Sequence, residues 1–414
     1  MVDLSAATVV DGVTAARHLR PESADEFAAA LRDADQAGQA VAPLGGGTQL
    51  DLGFPPSHLD LALETTALDR VVEYEPADLT VTVEAGIRFA ELQRLLGEQG
   101  QFLALDPPAD ERATIGGLIA TNASGPLRFS SGTARDLVLG CRIANPDGAL
   151  TRAGGRVVKN VAGYDLNKLY IGSLGTLGVF VELSFKLAPI PPASATLAGS
   201  FADSNAARQA LAEVVRSPLA PLAIELLAGT APAISGLGQP QATGRVVVFR
   251  VGGYPQAVER QVRDLGALVQ QHGGRRLETP DSLWDDLAQM RREAQQRAVV
   301  LKAAAPISAS GALVDHLERA LTDLQPIVWA HAGNGVAYAA CDAPPTAEVI
   351  VALRHDVGAL GENASLVVQR CPIELKRTLD VWGDPGSSLA LMRTLKAKLD
   401  PRNTLNRGRY VGGI

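Results

Sequence analysis

Leu44-Gly45-Gly46-Gly47-Thr48-Gln49 follows the short apolar run through Val41 and Ala42, and residues 51–60 beyond it contain Pro55 and Pro56. A glycine triplet at the end of a strand carries no Cβ atoms. Its consecutive backbone N–H groups can turn inward and cradle an anion such as a pyrophosphate, or simply make a tight turn. What comes next decides between folds. A Rossmann dinucleotide fold needs a helix that opens directly from the glycines and brings its N-terminus to the phosphate. Pro55 and Pro56 forbid such a helix. No Gly-Lys-Ser/Thr follows either, which removes a Walker-type phosphate loop.

Upstream of the loop, Ser23 and Glu26 form a Ser-x-x-Glu capping box ahead of Phe27, Ala30, Leu31 and Ala34, which predicts one amphipathic helix stopped near Gly38. Downstream, Val81 and Val83 alternate with Thr80, Thr82 and Glu84 in a strand pattern, and a helix follows from Phe89 through Leu96. A strand over 137–144 runs through the turn Pro146-Asp147-Gly148 into Ala149-Leu150-Thr151, a hairpin. The clearest strand is 179–187, with Val179, Val181, Leu183, Phe185 and Leu187 on one face. Pro189, Pro191 and Pro192 then mark a domain boundary. Beyond them, strands near 195–201, 222–227, 244–251, 297–303, 326–331 and 364–370 alternate with helices near 204–216, 255–271, 309–321 and 345–358. That alternation predicts an α+β domain on a mostly antiparallel sheet, closed by a last helix over 387–399. The expected organisation is 1–190, 191–375 and a C-terminal helix and tail, 376–414, that returns to the first domain.

Composition bounds the function. At 414 residues, 46% of them apolar and with a net charge of −7, the chain has the profile of a multi-domain globular protein. Acidic and basic residues are mixed and no basic stripe is present, so no nucleic-acid partner is expected. No apolar run approaches the ~18 residues of a membrane span, and no basic-then-apolar leader opens the sequence. A cytoplasmic protein without a transmembrane anchor is expected, peripheral at the inner membrane only through partners. Cys141, Cys341 and Cys371 are far apart and make no Cys-x-x-Cys, so an iron–sulfur or zinc centre built by this chain alone is not expected.

Two further segments carry small residues at close spacing. Thr114-Ile115-Gly116-Gly117 with Thr121-Asn122-Ala123-Ser124-Gly125 permits close backbone approach to a flat ligand, or a close helix–helix contact. Gly163-Tyr164-Asp165, followed by Gly172-Ser173-Leu174-Gly175-Thr176-Leu177-Gly178, has glycine spacing like a dinucleotide fingerprint but precedes a strand. That order excludes the fingerprint.

Together with Pro43-Leu44-Gly45-Gly46-Gly47-Thr48, Asp106-Pro107-Pro108 and Lys159-Asn160-Val161-Ala162-Gly163-Tyr164-Asp165, these segments resemble the FAD-binding domain of the vanillyl-alcohol oxidase superfamily. The ending Asp400-Pro401 to Asn406-Arg407-Gly408 resembles its D-2-hydroxy-acid dehydrogenase branch, and within it the FAD-binding subunits of bacterial glycolate oxidases. The resemblance implies a PCMH-type two-subdomain FAD-binding domain followed by an α+β cap domain over the isoalloxazine face. It implies FAD contacts at Pro43, Gly45, Gly46, Gly47, Thr48, Gln49, Asp106, Pro107, Thr114, Gly116, Gly117, Asn122, Ser124, Gly125, Gly163, Tyr164, Asp165, Gly172, Thr176, Gly178 and Val179. Some relatives attach the flavin covalently through a His or Cys in the glycine loop. This loop has neither, so non-covalent FAD is expected.

The catalytic side of the resemblance is incomplete. Catalytic members share a His-rich cap motif that holds a divalent metal. This chain has His331-Ala332-Gly333-Asn334-Gly335 and then Val336-Ala337-Tyr338 where a second His would stand, and 364–370 offers no Glu-His. Metal sites draw three or more protein ligands, so none is expected here. His331 is the candidate base and Arg370 the candidate carboxylate anchor, against a packed histidine and a surface ion pair of Arg370 with Glu374. Two readings follow. The chain either oxidises a small 2-hydroxy acid itself or serves as the flavin subunit of a complex with a catalytic flavoprotein subunit and an iron–sulfur subunit. An FAD protein acting on another alcohol is a third.

Overall fold

A computed structural model describes residues 2–3, 8–108, 110–156, 164–231, 237 and 244–414. The chain divides into two compact units, one formed by Met1–Ser124, Gly132–Ile190 and Asp384–Ile414, the other by Gly125–Ser131 and Pro191–Gly383. Residues 125–131 and 376–383 thus lie with the second unit.

Among the described residues, the first unit holds two main sheets, besides two pairings of two-residue strands. The smaller comprises β1 (Val2–Asp3), β2 (Arg17–Arg20), β3 (Val41–Leu44) and β4 (Leu61–Glu64) in the order β1-β2-β4-β3, with β2, β4 and β3 parallel. Helix α1 (Ala24–Gln36) connects β2 to β3. The Ser23 side chain accepts the Glu26 N–H at its start, and Gly38 takes a positive φ just past its end. Its Phe27 and Leu31 are fully buried against Val41, Leu61 and Leu63. At roughly 1.5–3 kcal/mol for each such side chain, this face holds the helix on the sheet.

The larger sheet comprises β5 (Val71–Glu75), β6 (Thr80–Glu84), β7 (Val138–Ala144), β8 (Leu150–Gly154) and β9 (Val179–Lys186). Its order is β8-β7-β9-β6-β5, antiparallel throughout. Helix α2 (Phe89–Gly97) buries Leu92 and Leu96 in the cluster that takes Leu183 and Phe185 from β9. The six-residue helix α3 (Ile115–Ala120) lies within the Thr114–Gly125 segment.

The C-terminal segment completes this unit. Asp400 Oδ2 accepts Lys396 Nζ at 2.6 Å and Leu405 N at 2.8 Å, and Asp400 Oδ1 accepts Thr404 N at 2.8 Å. Lys396 also donates to the carbonyls of Thr176 and Leu405. This buried, fully bonded pair sets Thr404–Asn406 along the free edge of β3, where Val41 N donates to Thr404 O and Asn406 N to Val41 O, both at 2.8 Å.

The second unit is an α+β domain on one eight-stranded sheet. Its elements are β10 (Ala193–Phe201), α4 (Ser204–Arg216), β11 (Ala223–Leu227), β12 (Arg245–Gly253), α5 (Pro255–Gln271), β13 (Arg275–Leu277), α6 (Leu283–Ala294), β14 (Val299–Ala304), α7 (Ser310–Ala320), β15 (Ile327–His331), β16 (Val336–Cys341), α8 (Ala347–Gly358) and β17 (Ser365–Arg370). The strand order is β13-β10-β12-β11-β15-β16-β14-β17, and every neighbouring pair is antiparallel. Sequence reading did not anticipate β13, α6 or β16. All six residues of β16 are buried, and its run of alanines gives no alternation to read. Leu283, Leu287 and Met290 of α6 join Val246, Val248, Trp329 and Tyr338 in one core cluster. Among the described residues no helix is long and apolar enough to cross a membrane.

Candidate functional site

The glycine loop lies where β3 ends. An open groove of about 600 Å³, counting the space that opens to solvent, is lined by Pro43 through Leu50, Leu52, Thr114, Gly117, Leu118, Ala120, Thr121, Leu174, Asn406 and Arg409. A second pocket of about 370 Å³ shares Pro43, Leu44, Gly45, Gly117, Ala120 and Leu174 with it and adds Thr65, Gly116, Gly175, Val179 and Phe180. The structure therefore brings together the glycine loop, the Thr114 segment and the loop before β9, three stretches far apart in sequence.

The glycines divide by job. A Cβ on Gly46 would lie 1.7 Å from the Arg112 carbonyl oxygen, and one on Gly45 would lie 2.1 Å from Thr114 Oγ1. These two let the loop close against residues 112–114. A Cβ on Gly47 would meet only Leu50 Cδ1, at an unstrained 3.7 Å, but its φ is +68°, so it is needed for backbone shape. Gly45 and Gly46 thus owe their missing Cβ atoms to close packing within the protein, while both still line the groove. Gly116 likewise seats α3 on the backbone of Ala85, where a Cβ would meet the Ala85 oxygen at 2.8 Å, and Gly178 makes room for Ile143. Gly172 N and Leu174 N donate to the Ile119 and Ala120 carbonyls, which ties the loop before β9 to the end of α3. Beside that junction, Asn122 Oδ1 and Ser173 Oγ are buried without a hydrogen-bond partner among the described residues. Two such unpartnered buried polar atoms lie close to this junction, although neither residue lines the groove.

Other expected contacts are not among the residues that line the groove. Asp106 and Pro107 are on a loop that does not line the groove. Tyr164 is 91% exposed, Asp165 is exposed and pairs with Lys168 at 3.5 Å, and Gly163 lies outside the described residues. Thr176 is buried and bonds the Ser173 carbonyl. Ser124 is buried, and Gly125 O accepts Asn334 Nδ2 at 3.4 Å. Asn406 and Arg409, which sequence reading did not assign to the site, line the groove from the C-terminal segment.

The second unit carries a separate polar set. Glu225 pairs with His331 across β11 and β15, Trp329 with Tyr338 across β15 and β16, and Tyr338 with Lys302 across β16 and β14. Directly opposed and alternate residues share a face, so these side chains form one group. His331 Nδ1 sits 2.6 Å from Glu225 Oε1, and Glu225 Oε2 is 3.5 Å from Arg291 Nη1 of α6, all buried. A carboxylate at Nδ1 fixes the tautomer that leaves Nε2 as the acceptor, and His331 Nε2 is buried without a partner among the described residues. Tyr338 packs edge-on against His331 at 5.3 Å between ring centroids and stacks on Trp329 at 5.0 Å. Burial pushes Lys302 down from 10.5 to about 8, with the Arg128 guanidinium adding to the effect. Arg370 instead donates to the Gln295 carbonyl at 3.1 Å and approaches Gln296 Oε1 at 3.4 Å. Among the described residues no group of three or more His, Cys, Asp or Glu is placed to hold a metal ion. Glu225 and Lys302 were missed by sequence reading, although each is the lone charge inside an otherwise apolar strand, a pattern that marks a buried functional or paired group.

A family model described as FAD binding domain matches residues 15–154, and one described as FAD linked oxidases, C-terminal domain, matches 190–353 and 384–410. Glycolate oxidase subunit GlcD of Bacillus subtilis (strain 168) is 27% identical over 421 residues, covering 94% of this chain and 88% of its own length. Glycolate oxidase subunit GlcE of Escherichia coli (strain K12) is 37% identical over 204 residues, covering 48% of this chain and 57% of its own length. The mitochondrial D-lactate dehydrogenase [cytochrome] of Arabidopsis thaliana is 26% identical over 94% of this chain and 72% of its own. In fold, a solved structure of alkyldihydroxyacetonephosphate synthase aligns with a TM-score of 0.71 at 18% identity, over 95% of this chain and 76% of that one. With both domain models in sequence order and relatives matched along almost its whole length, the chain belongs to the FAD-linked oxidases and is an FAD-dependent oxidoreductase.

Proposed function

We propose that this chain oxidises a small 2-hydroxy acid at its CH–OH carbon, with glycolate as the first substrate to test. It does so as a subunit of a complex with a companion flavoprotein and an iron–sulfur subunit, in the cytoplasm or at a membrane through those partners. The observation that carries the chemical part is the Glu225–His331 pair with its buried Nε2, unpartnered among the described residues, on the same sheet face as Lys302. The names of two relatives, both glycolate oxidase subunits, support the choice of glycolate and the subunit role.

The three demands of the reaction are a cation for the carboxylate, a base for the hydroxyl proton and an acceptor for the hydride equivalent. FAD, when bound, supplies the acceptor. Residues 43–50, Leu52, the α3 segment and Leu174 would hold it, without a covalent bond because the loop has no His or Cys. Lys302 as an ammonium binds the acid's carboxylate. His331 Nε2 takes the hydroxyl proton, and the Glu225 carboxylate stabilises the imidazolium that results.

The test is anaerobic mixing of the purified chain with glycolate or D-lactate while the oxidised-flavin absorbance is followed. Rapid bleaching by the chain alone, with turnover dependent on the partner subunits, is the expected result. A yellow protein that both acids leave oxidised would overturn the substrate assignment and leave a relay subunit. A colourless protein that cannot take up FAD would overturn the whole reading. Turnover without any partner would favour a stand-alone dehydrogenase, the reading that a polar set complete within one chain also permits.

Lys302 makes the reading sensitive to pH. Its folded value of about 8 lies below the ordinary 10.5, so the amine is cationic below about 8 and neutral above it. Affinity for an unreactive acid such as oxalate is expected to fall as pH rises through about 8, and Lys302→Met is expected to remove that dependence and weaken binding about 10- to 100-fold. The linkage runs the opposite way for stability. Between about 8 and 10.5 the unfolded chain holds the extra proton, so the acid-free protein gains stability as pH climbs across that window. Oxalate titrations at several pH values by calorimetry would check the binding arm, and a flat profile in the unsubstituted protein would remove Lys302 from the site.

A further inference from the structure

Arg409 is 5% exposed and lines the groove together with the glycine loop. Its Nη2 donates to the Leu50 carbonyl at 2.5 Å and to the Leu52 carbonyl at 3.0 Å, and its Nε reaches the Phe54 carbonyl at 3.4 Å. Its Nη1 donates to Asn406 Oδ1 at 3.2 Å, while Asn406 Nδ2 donates to the Leu174 carbonyl at 2.5 Å. Phe54 N returns a bond to Arg409 O at 3.0 Å. One planar guanidinium thus ties three carbonyls just past the glycine loop to the C-terminal segment, and Asn406 ties that segment to the loop before β9. Asn406 itself adopts a φ of +43°, a left-handed conformation that asparagine tolerates better than most residues.

Resting on the assignment of this groove to FAD, we infer that Arg409 is a positioning residue for the cofactor and that docking of residues 404–410 is coupled to FAD binding. The guanidinium donates to carbonyls along the 50–54 stretch, so it acts through the loop that follows Gly45–Gln49. Without it, the Leu50, Leu52 and Phe54 carbonyls lose their common donor and the loop loses its fixed course. A loop that must be ordered by the ligand binds that ligand more weakly, because the ordering free energy is then taken from binding. The coupling is reciprocal: FAD holds the C-terminal segment in place as firmly as that segment holds the loop.

The experiment measures FAD affinity of the apo full chain by flavin fluorescence quenching, with hydrogen exchange of apo and FAD-loaded protein in parallel. Arg409→Met is expected to raise the FAD Kd at least tenfold and to speed exchange over 50–54, with the helical circular dichroism retained. Arg409→Lys keeps the charge but has no planar fork to span three carbonyls, and it is expected to behave like the Met variant. Full rescue by Lys would show that charge alone matters and would overturn the positioning role, as would an unchanged Kd in Arg409→Met. If neither variant folds, the unsubstituted protein decides: FAD must slow exchange over both 43–54 and 404–410. Protection over 43–54 alone overturns the coupling and leaves the groove assignment standing. Protection over neither overturns the groove assignment itself.

Discussion

Gly46→Ala is expected to give a protein that emerges without flavin and unfolds at clearly lower denaturant. The added methyl would lie 1.7 Å from the Arg112 oxygen and 2.5 Å from the Arg112 carbonyl carbon, both backbone atoms with no rotamer to change. Relief requires the 45–47 turn and the 112–114 stretch to move apart, and both border the groove. Overpacking of a well-packed site costs about 1–3 kcal/mol where side chains can adjust, and a backbone clash belongs at or beyond the upper end. Gly47→Ala is the internal comparison. Its Cβ meets nothing closer than Leu50 Cδ1 at 3.7 Å, so only the positive φ is penalised, about 1 kcal/mol. Flavin-to-protein absorbance ratio and urea unfolding of the two variants decide the matter. A yellow, fully stable Gly46→Ala protein would show that this turn is not packed as described.

Glu225→Ala is expected to destabilise the second unit by about 3–5 kcal/mol, because it strands a buried guanidinium rather than because the ion pair itself is worth that much. Glu225 is fully buried and holds His331 with one oxygen and Arg291 with the other. Glu225→Gln keeps an acceptor for His331 and is expected to lose far less stability, while reducing flavin bleaching by glycolate more than it changes acid binding. Pairing Glu225→Leu with Arg291→Met removes both charges, and it is expected to recover much of the stability lost in Glu225→Ala. Urea unfolding followed by tryptophan fluorescence reports on this directly, since Trp329 stacks on Tyr338 in the same cluster. Equal loss in the Ala and paired variants would locate the effect in packing instead.

What could be read from the sequence follows where one physical rule dominated. Pro55 and Pro56 settled the question of a helix after the glycines, and the residues from Thr48 to Asp60 contain none. Alternation in Val179–Lys186 and capping at Ser23 placed β9 and α1. Alternation vanished where a strand is buried on both faces, so β16 with its alanines was invisible. Loop glycines were legible as glycines but not as to purpose. Whether a missing Cβ makes room for a ligand or for Arg112 depends on a neighbour that the spacing does not name. His331 stood out by its motif, whereas its partner Glu225 lies in a different strand, reached only through the register of β11 and β15. Asn406 was legible as part of a C-terminal pattern and Arg409 was not, and neither was legible as a wall of the groove, because only the fold brings them there.

The edge of β3 is closed by Thr404–Asn406, almost the entire length of the chain later. On the ribosome, therefore, the first unit cannot finish when its own first stretch has emerged. It must wait, with β3 displaying unpaired backbone groups, until the second unit has been translated and the tail has followed. An open strand edge of this kind is a template for pairing with other chains, so the nascent protein passes through an interval in which it depends on chaperones or on rapid folding of the second unit to stay single. A fragment ending after Ile190 would remain in that interval permanently, lacking the strand partner and the Lys396–Asp400 lock that only the last residues bring.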